Sequence, residues 1–257
     1  MGGGVQKADF KGMELQHTEG WCGGACPAES TEALLEGHNQ AFASFGGVPR
    51  TILYDNTRIA VKEITGDGER KPTEAFSGLQ SHYLFNAKFG RPGKGNDKGN
   101  VEGLVGYARR NFMVPVPRES SWEELNAHLR EQCMKRRERK LWGHQETIAE
   151  RSERERENLL PLPPTILEAC EKRTTRASSQ ALVRYETNDE SEPVEYGQRK
   201  GRVKALVRGV GIGFSSEVIV RERRSLGRGV MILNPTQYWS WLVTTTYVTD
   251  KDGPEQG

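Results

Sequence analysis

Gly90-Arg-Pro-Gly-Lys-Gly-Asn-Asp-Lys-Gly-Asn-Val-Glu-Gly-Leu-Val-Gly-Tyr-Ala-Arg-Arg-Asn-Phe112 opens as a glycine-rich basic loop and closes as a helix. Gly90, Gly93, Gly95 and Gly99 are set among Arg91, Lys94 and Lys98, and Asn96 or Asp97 can cap the helix that follows. On that helix Lys98, Glu102 and Arg109 are spaced by four and then seven residues and share a face, with Arg110 beside them. A lone carboxylate among cations is ordinarily a solvated ion-pair face. Thr51-Ile52-Leu53-Tyr54-Asp55-Asn56 changes that weighting, because it reads as a buried strand with a carboxylate at its C-terminal end. In open α/β sheets ligands bind at that end. Asp55 on a strand end, Glu102 on a helix and a basic loop between them suit a divalent metal held over a phosphodiester. Lys94 and Lys98 are placed to meet phosphate, and Asn56 to orient Asp55.

Composition narrows the classes. The 257 residues carry 37 Lys and Arg against 35 Asp and Glu, with 35% hydrophobic and 28% charged residues and a mean hydropathy of −0.71. That is polar but foldable, and long enough for one large or two small domains. Charge is unevenly spread: Lys88 to Lys140 holds 13 basic and 7 acidic residues, a net +6 that favours a polyanion partner. Gly90 and Gly95 have the separation of a phosphate loop, but Asn96-Asp97 stands where Lys-Ser/Thr is required, which excludes that class of nucleotide hydrolase. Cys22, Cys26, Cys133 and Cys170 include one C-x3-C and no second pair, so they read as free thiols. With no signal peptide and no apolar run of membrane length, a reduced cytoplasmic compartment and no membrane partner are expected.

Along the chain, residues 1–26 hold seven glycines and show neither helical nor strand period, so they are expected to be non-core and disordered. Asp9 is the only Asp before Asp55. Ser30 to Phe45 reads as a helix stopped by Gly46-Gly47, with His38 on its apolar face as a packed core histidine rather than a ligand. Asn56 to Lys71 is a polar connection, Pro72 opens a helix to Tyr83, and Leu84 to Phe89 is a short strand. Pro115 and Pro117 end this core. Ser120 or Ser121 caps a helix bearing Trp122, Leu125, Leu129 and Cys133, which runs into five cations among the six residues Lys135 to Lys140, a candidate phosphate-tracking patch. Thr147 to Leu160 is a self-paired exposed helix, and Leu159 to Pro164 a stiff linker at a domain boundary.

From Ala181 the period becomes two. Leu182 to Tyr185 and Pro193 to Tyr196 read as a hairpin, and Arg202 to Arg208 puts Val203, Ala205 and Val207 on one face and Arg202, Lys204 and Arg208 on the other. Arg221, Arg223, Arg224 and Arg228 follow. Short strands with close turns over 179–243 imply a small β-barrel, with Arg202, Lys204 and Arg208 as DNA contacts and a disordered tail over 244–257.

Pro27 to about Leu242 resembles the IstA-type transposases of bacterial insertion sequences. The likeness is carried by Pro27 to Ala33, Phe45-Gly46-Gly47-Val48-Pro49-Arg50, Ile52 to Asn56, Gln80 to Phe85 and the whole Gly90–Phe112 block. It implies an α/β fold: a ribonuclease H-like integrase core over 27–118, incomplete at its N-terminus, a helical connector over 119–178, and an SH3-like barrel. By the same resemblance Asp55 and Glu102 match the second and third acids of an Asp-Asp-Glu triad that binds Mg²⁺ or Mn²⁺ and transfers DNA strands. Lys94, Lys98, Arg109 and Arg110 would lie along the DNA. Implied partners are element-end and target DNA, further protomers and an AAA+ ATPase helper of the IstB type, in the bacterial nucleoid. The first acid belongs on an earlier strand, which residues 1–26 are not expected to supply, through truncation or a shifted frame. The alternative is therefore a catalytically inactive DNA-binding remnant.

Overall fold

The structure, a computed structural model, describes residues 6–54, 59–64, 70–90, 99–191, 193–214, 217–225, 227–234 and 237; for residues 64, 70, 99–102, 104, 194 and 217 it describes the backbone alone. The chain divides into two compact units, Met1–Ala169 and Cys170–Gly257. Among the described residues no helix is long and apolar enough to cross a membrane.

The first unit contains β1 (Asp9–Leu15), β2 (Gly20–Cys26), α1 (Thr31–Phe45), β3 (Thr51–Tyr54), β4 (Val61–Ile64), β5 (Arg70–Pro72), α2 (Glu74–Tyr83), β6 (Asn86–Phe89), α3 (Gly99–Phe112), α4 (Trp122–Arg137) and α5 (Ile148–Glu155). Its first two strands overturn the expectation of disorder before Pro27. They form an antiparallel hairpin that sets Gly12 opposite Gly23 and Glu14 opposite Trp21. The Trp21 ring lies across the paired glycines: a Cβ on Gly12 would come within 2.6 Å of its Nε1, and one on Gly23 within 2.3 Å of its Cζ2. Phe10 stacks on Trp21 at 5.6 Å between centroids, and Phe112 from α3 tilts against it at the same separation. Ala108 of α3 and Leu125, Leu129 and Cys133 of α4 complete that cluster, while Met13, on the other face, packs into the core around Leu35 and Phe42 of α1. Both faces are covered, so apolar and polar residues do not alternate. The glycines that made this stretch look disordered are the room in which Trp21 sits.

α1 begins and ends as its sequence implies. Ser30 Oγ accepts from the Ala33 N–H at 3.3 Å, and Gly46, at φ 73°, closes the helix by donating to the Phe42 carbonyl. α2 starts two residues later than expected: Thr73 is its N-cap and Pro72 ends β5. The polar connection before it contains a hairpin, β4 with β5, whose Val61 is buried.

Residues 119–169 are not a free connector but part of the first unit. Asn126 of α4 accepts from the Ala25 N–H at 2.8 Å and donates to the Ala25 carbonyl at 2.9 Å, so α4 caps the outer edge of β2. The proline-rich stretch is strapped down as well. Val48 and Leu160 exchange backbone hydrogen bonds of 2.9 and 2.8 Å, Asn39 donates to the Leu167 carbonyl, and Leu167 and Ala169 pack on the α1 core.

The second unit is all-β and starts earlier than residue 179. It comprises β7 (Glu171–Arg176), β8 (Leu182–Tyr185), β9 (Asn188–Ser191), β10 (Lys200–Ala205), β11 (Gly209–Phe214), β12 (Glu217–Arg223) and β13 (Met231–Ile232). β7 escapes sequence reading because Glu-Lys-Arg-Thr-Thr-Arg has no apolar residue to show its period. The β8–β9 turn falls at Glu186-Thr187, and Val194–Tyr196 is a 3₁₀ turn rather than the second strand. One sheet runs β12-β11-β10-β7 and the other β13-β9-β8, around a core of Val183, Tyr185, Val203, Ala205, Val210, Ile212, Phe214 and Val220.

Candidate catalytic and nucleic-acid-binding site

β3 and β6 are parallel neighbours in register from Thr51↔Asn86 to Tyr54↔Phe89, and the Gly90 N–H donates to the Tyr54 carbonyl at 3.0 Å. The two strands therefore end side by side, and in the sequence Asp55 follows β3 while Gly90 and then the stretch 91–98 follow β6. That strand end is held from below. His38 Nε2 meets the Tyr54 hydroxyl at 2.7 Å, and its Nδ1 meets the Leu34 carbonyl at 2.7 Å. Burial drives His38 down to about 4, so the ring is neutral, donating from Nδ1 and accepting at Nε2. The same burial raises the Tyr54 phenol, which keeps its proton. His38 is thus the core residue expected, and its role is to anchor the last residue before Asp55.

Asp55, Asn56, Lys94 and Lys98 lie outside the described residues. Glu102 is in the first turn of α3, where the backbone alone is described. Arg109 and Arg110 are exposed in the last turn of that helix, and Ala108 between them and Tyr107 is buried. Asp9, set aside in the sequence for want of a strand, is the first residue of β1. Its carboxylate pairs with Lys7 at 3.5 Å and is 32% exposed, and α3 packs against the strand that carries it. Among the described residues no three His, Cys, Asp or Glu gather closely enough to hold a metal. The four cysteines are free, as expected.

The cation run that ends α4 has one buried, structural member. Arg136 is buried, donates to the Glu19 carbonyl at 2.6 Å, pairs with its carboxylate at 3.5 Å and lies over the Tyr107 ring. Arg139 bonds the Tyr107 hydroxyl, and Lys135 pairs with Glu131 at 2.6 Å. Arg136 and Arg139 thus tie the end of α4 to the hairpin turn and to α3, while Lys135, Arg139 and Lys140 remain exposed.

In the second unit Arg202 and Lys204 do share the outward face of β10, with Gly201, Val203 and Ala205 buried beneath. Arg208 does not join them. β10 stops at Ala205, the Leu206 N–H bonds the Gly209 carbonyl at 2.8 Å, and Arg208 sits half-buried in that turn. Arg224 also turns away, to Glu186 at 3.3 Å and onto the Tyr185 ring.

These elements define an α/β unit followed by an all-β unit, and sequence comparison gives the relatives. Residues 162–234 match the model of the Mu transposase, C-terminal domain. The chain is 30% identical over 240 residues to the transposase for insertion sequences IS1326/IS1353 of Pseudomonas aeruginosa, covering 91% of this chain and 46% of that protein. It is 31% identical over 201 residues to a transposase of Aminobacter aminovorans (78% and 39%), and 34% identical over 142 residues to the transposase for insertion sequence element IS21 of Pseudomonas aeruginosa (55% and 36%). The chain is thus related by sequence to insertion-sequence transposases of the IS21 family. It spans about half the length, or less, of these curated relatives. A cryoEM structure of the simian T-cell lymphotropic virus intasome in complex with PP2A regulatory subunit B56 gamma matches at TM-score 0.43 and 12% identity, covering 86% of this chain and 78% of that one, a level that carries no argument.

Proposed function

We propose that this chain carries the DNA cleavage and strand-transfer chemistry of an insertion-sequence transposase, with Asp55 and Glu102 as the metal-holding carboxylates. The observation that supports this reading is the parallel β3–β6 register, in which the two strands end side by side at Tyr54 and Phe89, the residues that in sequence precede Asp55 and the basic stretch before Glu102. On this reading the first unit is a ribonuclease H-like core and the second an SH3-like barrel. Asp55 and Glu102 offer the hard carboxylate oxygens that Mg²⁺ or Mn²⁺ prefers. An ion held there supplies activation of an attacking hydroxyl and charge compensation at the leaving oxygen. The chain's own contribution is position. The neutral His38 and the Gly90 N–H fix Tyr54 on either side of the strand end, and α3 fixes the backbone of Glu102. Lys94, Lys98, Arg109 and Arg110 would hold the DNA backbone. Element ends and target DNA are the substrates, and further protomers and an IstB-type AAA+ ATPase are the partners, acting on nucleoid DNA in the cytoplasm.

Strand transfer of pre-cut element ends into a target, with Mg²⁺ or Mn²⁺ and the helper ATPase, tests this. Joining is expected from the unaltered chain and is expected to fall to background in Asp55→Asn and Glu102→Gln. Asp9→Asn belongs in the same series: loss of joining would make it the third carboxylate, which its place at the head of β1 against α3 now permits. The alternative reading is a DNA-binding chain without catalysis. Tight binding with no joining under any of these conditions would establish it instead.

A further inference from the structure

We propose that Arg136 is a positioning residue for the reaction, its buried guanidinium bracing the helix that carries Glu102 against the hairpin that carries Asp9. This rests on the reading that Glu102 holds the metal, and goes beyond it by naming what sets that helix in place. Arg136 is 9% exposed, in the last turn of α4, and reaches two elements at once. Toward the β1–β2 turn it donates to the Glu19 carbonyl at 2.6 Å and pairs with the Glu19 carboxylate at 3.5 Å. Toward α3 its Cζ lies 5.4 Å from the centroid of the Tyr107 ring. Arg139 donates to the Tyr107 hydroxyl at 2.9 Å, so the tyrosine is held by its face and by its tip. The ring also meets Phe112 edge-on, at 5.7 Å between centroids.

Two features give the brace a part in the reaction. The first is where α3 is held. Among the described side chains of that helix, those in the hydrophobic cluster are Tyr107, Ala108 and Phe112, all in its C-terminal half. Gly103, next to Glu102, is exposed, and a Cβ there would meet nothing within 4 Å. Tyr107 is thus the described anchor nearest to Glu102, about 7.5 Å further along the helix axis. A shift at Tyr107 is passed along the helix to the turn that carries Glu102. The second feature is the choice of residue. A buried ion pair is often no more stabilising than apolar side chains of similar volume, so stability alone gives arginine no advantage here over methionine. What the guanidinium adds is direction. A planar fork fixed on Glu19 lies over the ring in one orientation, which a methionine contact does not require. A reacting centre needs that precision, since a displacement of about 1 Å can lower a rate about a hundredfold.

The test is strand transfer of pre-cut element ends by the full chain with Mg²⁺, measuring the rate at saturating DNA and, separately, the half-saturating DNA concentration. Arg136→Met leaves no buried unpaired charge, because Glu19 is 45% exposed, and should fold. It is expected to keep the half-saturating concentration and to lower the saturated rate between about tenfold and a hundredfold. Arg136→Lys keeps the charge but not the fork, and should fall with it. Tyr107→Phe and Arg139→Met each break the hydroxyl contact and should lower the saturated rate about three- to tenfold. Their double variant should be no slower than the slower of the two, and Arg139→Lys should restore the rate. If Arg136→Met does not fold, the variants at Tyr107 and Arg139 decide. Saturated rates unchanged in the folded variants would overturn the brace and leave the transposase reading standing. A raised half-saturating concentration at an unchanged saturated rate would overturn it too, because that marks a contact to DNA rather than a positioning role. No joining by the unaltered chain would overturn both.

Discussion

β2 and β11 each hold three glycines, Gly20, Gly23 and Gly24 in one and Gly209, Gly211 and Gly213 in the other, and they use them in opposite ways. In β11 the glycines alternate with the buried Val210, Ile212 and Phe214, and although Gly211 is itself buried, a Cβ there would meet only ordinary contacts of 3.6 Å or more. In β2 the glycines lie beneath other groups: Gly23 beneath the Trp21 ring, and Gly24 where an added Cβ would come within 3.0 Å of Asn126 Oδ1. One strand keeps room beside a glycine and shows its apolar period. The other is covered on both faces, and its glycines are the space its neighbours occupy. A glycine in a strand therefore leaves either room for a side chain or a space already filled, and only its neighbours in space decide which.

The largest test of that contrast is Trp21→Ala. Trp21 joins Phe10, Ala25, Phe112, Leu125 and Leu129, and its removal opens a cavity between the hairpin, α3 and α4. A loss of about 3–5 kcal/mol is expected in denaturant unfolding of the full chain. A loss below about 1 kcal/mol would mean that the hairpin is an appendage, as its composition first implied. Gly23→Val should come next, at about 1–3 kcal/mol, because the new Cβ meets an indole ring with no room to retreat.

Glu14 sharpens the contrast through pH. It stands opposite Trp21, and burial first, then the nearby Glu19, raise it from 4.5 to about 7, partly opposed by Arg136. A carboxyl raised on folding stabilises most where it is protonated in both states, below about pH 4.5, and that contribution is lost as pH rises through about 7. Glu14→Gln is therefore expected to match the unaltered chain near pH 4 and to exceed it at pH 8, by on the order of 1 kcal/mol. Equal stability of the two chains across that range would remove Glu14 from the buried face.

What the sequence disclosed follows the same division. α1 was legible from Ser30 to Gly46 because caps and an apolar stripe are local signals, and β3 and β6 because short apolar runs end at Asp55 and Gly90. The hairpin was not, since its logic is the Trp21 ring lying over Gly12 and Gly23. β7 was hidden by an all-polar sequence whose partners, Lys200 to Ala205, lie far along the chain. At the candidate site, Asp55 and Glu102 came from motif and resemblance. The His38–Tyr54 bond that anchors the strand end is a contact over sixteen residues that no spacing rule announces. Arg208 was misplaced for a simpler reason: alternation was extended two residues past the turn that ends β10.

The smallest expected effect is the most direct comparison. Gly211→Val places the same side chain as Gly23→Val in a strand of similar glycine content, but at a buried position with room for a Cβ. The nearest atoms to its Cβ are Val218 Cγ1 at 3.6 Å, the Lys204 carbonyl at 3.7 Å and the Val220 carbonyl at 3.8 Å, all ordinary contacts. The backbone there is not in the left-handed region, so valine introduces no strain. It also suits a central strand and restricts the unfolded chain more than glycine does. Gly211→Val should therefore lie between neutral and about 1 kcal/mol more stable than the unaltered chain. Measured side by side in denaturant, the two valines should have opposite or clearly unequal effects. If Gly211→Val were as damaging as Gly23→Val, the space beside Gly211 would be as fully occupied as that beneath Trp21, and the contrast between the two strands would fail.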